Sequence, residues 1–135
     1  MYVTMLRLFQ CCRRLENSSV QKYTSPKTLP QPKIGEKPGY IYIIQEREFI
    51  KTKEPIYKIG KTVNMKYRMP AYPKNSCLYL CFYCTTNINI VETYFIDVFD
   101  QQFINRSDIG REYYEGELWK MIRIVTEYIS QQQYN

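Results

Sequence analysis

Residues 39–60 read GYIYIIQEREFIKTKEPIYKIG, and this stretch contains the clearest signal for the fold. Its first part, GYIYIIQ at residues 39–45, is rich in β-branched and aromatic residues, as strands usually are. A charged stretch, EREFIKTKE, separates it from PIYKIG at residues 55–60, which has the same strand-like composition. The pattern therefore predicts two antiparallel strands joined by a polar loop.

A short helix and a third strand are predicted next along the chain. Asn64 can cap a helix and Pro70 can end one, so a helix of about two turns is expected between them. Residues 77–85 (CLYLCFYCT) are apolar on both faces, which favours a buried central strand.

Two amphipathic helices are predicted in the C-terminal third. Apolar residues recur at spacings of three and four over residues 88–103 and again over residues 118–129. The connection between them, RSDIGREYYEG at residues 106–116, is predicted to be a loop. The order of elements indicates an α+β fold, with a small, about three-stranded antiparallel sheet flanked by helices.

Composition divides the chain into three parts. Residues 1–37 contain basic and proline-rich sequence and are predicted to form a disordered basic arm and linker. Residues 38–131 are predicted to form one domain, since 44% hydrophobic residues suffice for a core in a chain of 135 residues. Residues 132–135 are expected to be a frayed tail.

The residue types that are absent narrow the chemistry. The chain has no histidine, which excludes imidazole bases and imidazole metal ligands. Five cysteines without a secretory signal favour a reducing intracellular location, the cytoplasm or nucleus of the cell or host. No apolar run approaches the roughly 20 residues of a membrane-spanning helix, so none is expected.

Charge is unevenly distributed in the predicted domain. Residues 47–74 contain eight basic residues and two acidic ones, whereas acidic residues outnumber basic ones over residues 87–135. A basic flank beside an acidic one suits a surface that grips phosphate next to a cation site.

Three features within the domain have the right residue types for phosphodiester cleavage. Tyr42 and Tyr57 lie on adjacent predicted strands, where their phenol groups could meet a water molecule. Lys61 and Arg68 follow the second strand and could both contact one phosphate, the arginine bidentately. Glu92 stands near the apolar side of a predicted helix, where a carboxylate is costly unless it binds a cation, which makes it the candidate metal ligand.

These residues resemble the motifs of the GIY-YIG nuclease superfamily over nearly all of residues 38–119. GYIY at residues 39–42 resembles the first motif and YKIGKT at residues 57–62 the second, and NMKYR at residues 64–68 resembles the helix with the catalytic arginine. With Tyr72-Pro73 and GREYY at residues 110–114, the chain is most similar to the compact branch of phages and large DNA viruses.

The resemblance implies a metal-dependent endonuclease that hydrolyses DNA. It assigns Mg²⁺ or Mn²⁺ to Glu92, water activation to Tyr42 with Tyr57, and neutralisation of the scissile phosphate to Lys61 and Arg68. At Lys58 the family instead has its second tyrosine, and Asn105 is a candidate for the family's terminal asparagine.

One of two alternatives stays open and the other is set aside. The first is a non-catalytic DNA-binding module of the same fold, in which case Glu92 is expected to point away from Arg68. For the nuclease and the binding module alike, the predicted DNA contacts include Lys58, Lys61, Asn64, Lys66, Arg68 and Lys74. The second is an iron-sulfur enzyme, because Cys77, Cys81 and Cys84 have radical-SAM spacing; no cluster is expected, since a strand would turn these thiols to opposite faces.

Overall fold

The computed structural model describes residues 7–8 and 37–133 of the chain, and the structure is an α+β domain. All six strands of the described part form one antiparallel sheet, in the order β1-β4-β2-β3-β6-β5. The strands are β1 (Arg7–Leu8), β2 (Gly39–Gln45), β3 (Ile56–Thr62), β4 (Cys77–Cys84), β5 (Ile104–Asn105) and β6 (Tyr113–Glu115). The helices are α1 (Arg47–Thr52), α2 (Met65–Arg68), a 3₁₀ turn (Met69–Ala71), α3 (Ile88–Gln102) and α4 (Leu118–Gln133).

The predicted hairpin and third strand form the centre of this sheet. In β2, Tyr42 lies opposite Gly60 of β3 on one side and opposite Cys81 of β4 on the other. The helices predicted around residues 64–70, 88–103 and 118–129 are present as α2, α3 and α4. Asn64 caps α2 by accepting a hydrogen bond from the Lys66 amide at 3.0 Å.

The prediction of about three strands was wrong, because short strands extend the sheet at both edges. Residues 39–115 contribute five strands, and Arg7–Leu8 form a sixth along β4. The segment predicted as a loop contains β6, whose three residues pair with β3 through Tyr57 opposite Tyr114. Such short strands have too few residues for a periodic signal and depend on a partner strand for their hydrogen bonds.

The connection between β2 and β3 was also predicted incompletely. It is not a simple polar loop but contains the two-turn helix α1, which ends at Lys53 in a left-handed conformation with a φ of 57°. Charged residues dominate this helix, and it contributes no buried residue, so its sequence has no apolar stripe to reveal it.

The two faces of the sheet are covered by different elements. Strand alternation and register place Ile41, Ile43 and Ile59 on one face, where they pack with α3 and α4 in the main core. The opposite face carries Tyr42 and Gly60. Tyr72, from the segment that follows α2, lies against this second face, as its contact with Tyr42 shows.

The predicted domain limits fall partly outside the described residues. Of the predicted arm over residues 1–37, the structure describes Arg7–Leu8 and Lys37, and the rest lies outside the described residues. At the other end α4 continues to Gln133, and residues 134–135 lie outside the described part. None of the helices in the described ranges is long and apolar enough to cross a membrane.

Candidate nucleic-acid interface

Arg68, Tyr42 and Tyr72 form a hydrogen-bonded group on the second face of the sheet. The Arg68 Nε atom donates to the Tyr42 hydroxyl at 3.1 Å, and that hydroxyl lies 2.7 Å from the hydroxyl of Tyr72. The Arg68 guanidinium carbon is 5.5 Å from the centre of the Tyr72 ring. Because Arg68 is exposed and Tyr42 is fully buried, a buried tyrosine orients a cation that faces solvent.

Gly60 makes room for this arrangement. A Cβ atom at residue 60 would lie no more than 2.8 Å from three atoms of the Tyr42 side chain, including its hydroxyl. The Tyr42 ring therefore lies directly over the backbone of β3, and only glycine leaves space for it. This contact explains the glycine in the YKIGKT motif in structural terms.

The environment of Tyr42 keeps its phenol protonated. Burial raises the pKa of Tyr42 well above its usual value, and the hydrogen bond with Tyr72 raises it further, against a smaller opposing effect of Arg68. The expected water activation by Tyr42 would require a lowered pKa, so its protonated hydroxyl suits hydrogen bonding better than proton abstraction.

Lys58 extends the same face toward β6. Its Nζ atom lies 5.6 Å from the Tyr72 ring centre and 5.2 Å from that of Tyr113, which is within cation–π range. It also lies 3.4 Å from a carboxylate oxygen of Glu112, and only 12% of its side chain is exposed. Lys58 thus fills a space between aromatic rings at the position where the GIY-YIG motif has tyrosine.

Lys61 and Glu92 form a separate pair. Lys61 directly follows Gly60, so strand alternation turns its side chain to the face that α3 covers. There its Nζ atom makes an ion pair with a carboxylate oxygen of Glu92, whose side chain is only 5% exposed. The structure therefore joins Lys61 with Glu92 and Arg68 with Tyr42, in two groups on opposite faces.

Tyr57 lies on the same face of the sheet as Lys61, opposite to Tyr42. It is on the core face of β3, where its ring centre is 5.9 Å from that of Tyr79. Burial raises its pKa. The remaining predicted contact residues, Asn64, Lys66 and Lys74, are all exposed on the segment after β3.

Comparison with protein families gives a match to the T5orf172 domain over residues 39–130. The chain belongs to the T5orf172 domain family. The assignment to the GIY-YIG superfamily is corrected accordingly, because the matching family is a different domain family. No significant match was found among curated proteins or among solved structures.

Membership of the T5orf172 family fits a DNA-binding or endonuclease role in general, since this domain is described as a nuclease or DNA-binding domain of phage and other proteins. A DNA partner is consistent with this role. The family match covers all residues of the Arg68 group and of the Lys61 group.

Two residues on the second face of this T5orf172 domain, Tyr72 and Tyr113, were not identified from sequence as site residues. Tyr72 links Tyr42 to the two cations Arg68 and Lys58. The Tyr113 hydroxyl donates a hydrogen bond to a carboxylate oxygen of Glu46 at 2.5 Å, and the Tyr113 ring lies beside Lys58. The available signal was the Tyr72-Pro73 pair, which contributed to the family resemblance without being assigned a role in the site. The role of Tyr113 depends on the pairing of β6 with β3.

Proposed function

We propose that this domain binds DNA through the sugar-phosphate backbone, with Arg68 as the central contact. Arg68 is exposed, and its hydrogen bond to Tyr42 uses only part of its five N–H donors. A planar guanidinium held in one orientation matches the oxygens of a phosphate bidentately. The fixed Arg68–Tyr42–Tyr72 group is the observation that carries this proposal.

Further cations around Arg68 support the same interpretation. Lys66 and Lys74 are exposed on the segment that follows β3, and the tyrosines beside them offer ring faces on which bases can stack. Binding that depends on such cations releases counterions and weakens as salt concentration rises. The basic arm at residues 1–37 would add to this effect, so deletion of residues 1–36 should reduce the salt dependence.

The position of Glu92 favours binding over cleavage. A metal-dependent nuclease needs its carboxylate beside the bound phosphate, whereas Glu92 makes its ion pair with Lys61 on the core face of β3. Arg68 lies with Tyr42 on the other face. A DNA-binding role needs no carboxylate at the phosphate, and Tyr42 with a raised pKa serves it as a positioning group.

DNA cleavage is a second candidate function, which the burial of Glu92 favours. Mg²⁺ commonly binds one or two carboxylates together with waters and substrate phosphates, so a single Glu92 carboxylate is a possible ligand for Mg²⁺ or Mn²⁺. The described residues hold no group of three or more acidic, cysteine or histidine side chains suited to a metal. A bound metal would polarise a phosphate oxygen and lower the pKa of a coordinated water.

In this second function each of the four side chains Glu92, Lys61, Arg68 and Tyr42 would have a separate role. Glu92 would hold the metal, and Lys61, released from Glu92, would bind the phosphate at the metal. Arg68, which lies with Tyr42 on the other face, would contact a different phosphate of the same strand. Tyr42 would orient Arg68 and donate a hydrogen bond rather than accept a proton.

DNA binding and plasmid cleavage measured side by side test both functions. Arg68→Ala should weaken duplex binding about tenfold, the effect of one lost charged hydrogen bond, and lower the slope of log K against log salt by about one. Arg123→Ala, an exposed arginine on α4, is the matched control and should change neither. Equal effects of the two substitutions, or no binding at low salt, would overturn the proposal.

Supercoiled plasmid incubated with Mg²⁺, Mn²⁺ or EDTA separates the two candidates. If the protein binds without cleaving, no nicked plasmid appears under any condition and Glu92→Gln leaves the affinity unchanged. Nicking that requires the metal and disappears in both Glu92→Gln and Arg68→Ala would establish the second candidate instead.

A further inference from the structure

A cavity opens beside the Arg68 group. Its volume is about 370 Å³, at the lower end of the roughly 300–1,000 Å³ of small-molecule sites. Ile44, Met69 and Leu78 supply apolar wall, Tyr72 supplies an aromatic ring, and Lys74 and Asn75 supply polar groups. An apolar and aromatic wall with a few polar groups suits a flat, partly polar ligand.

Tyr72 connects this cavity to the proposed phosphate contact. Its side chain lines the cavity, while the Arg68 guanidinium carbon is 5.5 Å from its ring centre and its hydroxyl bonds with Tyr42. A cation for a phosphate and an apolar cavity for a ring therefore meet at one side chain. A nucleotide has these two groups, an anionic phosphate and a flat base, joined through a sugar.

We infer that the cavity holds one unstacked base of a DNA strand whose phosphate contacts Arg68. This inference rests on the proposed DNA-binding function and names the form of DNA that the site prefers. The cavity walls can contact the faces of the base, and the Asn75 amide can exchange hydrogen bonds with its edge. Because a base inside a duplex is stacked and paired, the domain prefers single-stranded or distorted DNA.

Fluorescence anisotropy with two labelled oligonucleotides tests the inference. One is a single-stranded 12-mer, and the other has the same length and phosphates but abasic sugars throughout. The wild-type protein should bind the first at least fivefold more tightly, the lower end of what one stacked base contributes. The abasic strand should still bind in a manner that depends on salt and on Arg68.

Two near-isosteric substitutions on different elements make the cavity polar without adding charge. Met69→Gln lies in the 3₁₀ turn and Leu78→Asn in β4, and each should reduce the preference for bases toward twofold while leaving abasic binding unchanged. Ile90→Gln, at an exposed position of α3, is the control and should retain the preference. Circular dichroism melts verify that each variant is folded.

A base could instead stack on an exposed ring outside the cavity, and Tyr67, which is 77% exposed on α2, is the ring for this alternative. Tyr67→Ala tests it. A preference for bases that disappears in Tyr67→Ala but persists in both cavity variants overturns the inference. So does equal binding of the two oligonucleotides by the wild-type protein, although DNA binding itself would then stand. If neither oligonucleotide binds at low salt, this inference fails, and the duplex-binding assay described above then decides whether the proposed function fails with it.

Discussion

Gly60→Ala should damage both stability and DNA binding through one contact. The new Cβ atom would lie at least about 0.7 Å inside the ordinary separation of ~3.5 Å for three atoms of the Tyr42 side chain. Because the neighbour is a fully buried ring and β3 is central, neither can move freely. We expect overpacking to lower the free energy of unfolding by about 1–3 kcal/mol, and each displaced hydrogen bond of Tyr42 to lower it by about 1 kcal/mol more.

The net loss should be roughly 3 kcal/mol in the free energy of unfolding, measured by urea titration. An ordinary glycine-to-alanine change within a strand has the opposite sign and stabilises by roughly 0.5–1 kcal/mol. DNA affinity should fall toward that of Arg68→Ala, because Arg68 loses the hydroxyl that orients it.

A double-mutant cycle identifies the cause. In a Tyr42→Ala background the ring is gone, so Gly60→Ala should cost less than about 0.5 kcal/mol or even stabilise the domain. If Gly60→Ala costs the same in both backgrounds, the contact with Tyr42 is not the reason for glycine at this position.

Two further predictions concern charge. Burial raises the pKa values of Tyr42, Tyr113 and Tyr114 in the folded protein. As pH rises, their phenols therefore ionise in the unfolded chain before they ionise in the folded protein. The free energy of unfolding should then fall as pH rises above about 10. Urea titrations from pH 8 to 11 should show a shallower fall in Tyr42→Phe than in wild type, and equal slopes would contradict this assignment. Lys61→Met should lower the free energy of unfolding by roughly 1–3 kcal/mol, because the Glu92 carboxylate would stay buried without its cation. This range is below that for a fully buried pair because Lys61 is partly exposed. Lys120→Met breaks the exposed Lys120–Glu117 pair and should change stability by less than about 1 kcal/mol, so similar losses in the two variants would refute the argument from burial.

The elements predicted correctly from sequence are those with enough residues to show a pattern. Strand β2 has seven residues, five of them β-branched or aromatic, and α3 has fifteen residues with an apolar stripe. The residues Tyr113–Glu115 become a strand only because β3 offers an edge to pair with, and this information lies far away in the chain. Helix α1 packs no buried residue, so hydrophobic periodicity could not reveal it.

The sequence predicted most residues of the candidate site, but not which of them contact one another. Tyr42 and Arg68 were both identified from sequence, and the structure brings them into hydrogen-bond contact. The ion pair of Lys61 with Glu92 joins residues on a strand and a distant helix, so no local pattern could reveal it. Alternation along β3 also separates Tyr57 from Tyr42, because Tyr57 and Gly60 lie an odd number of positions apart.

The alternation of β3 also determines where the chain can tolerate insertions. Lys58 and Gly60 serve one face, and Ile59 and Lys61 serve the other. One extra residue after Lys58 would exchange the faces of every later position in the strand, placing a bulky side chain under the Tyr42 ring and moving Lys61 away from Glu92. Residues 51–55, which are all exposed and lead into β3, have no such constraint, so length variation among related domains should concentrate there and be absent from β3.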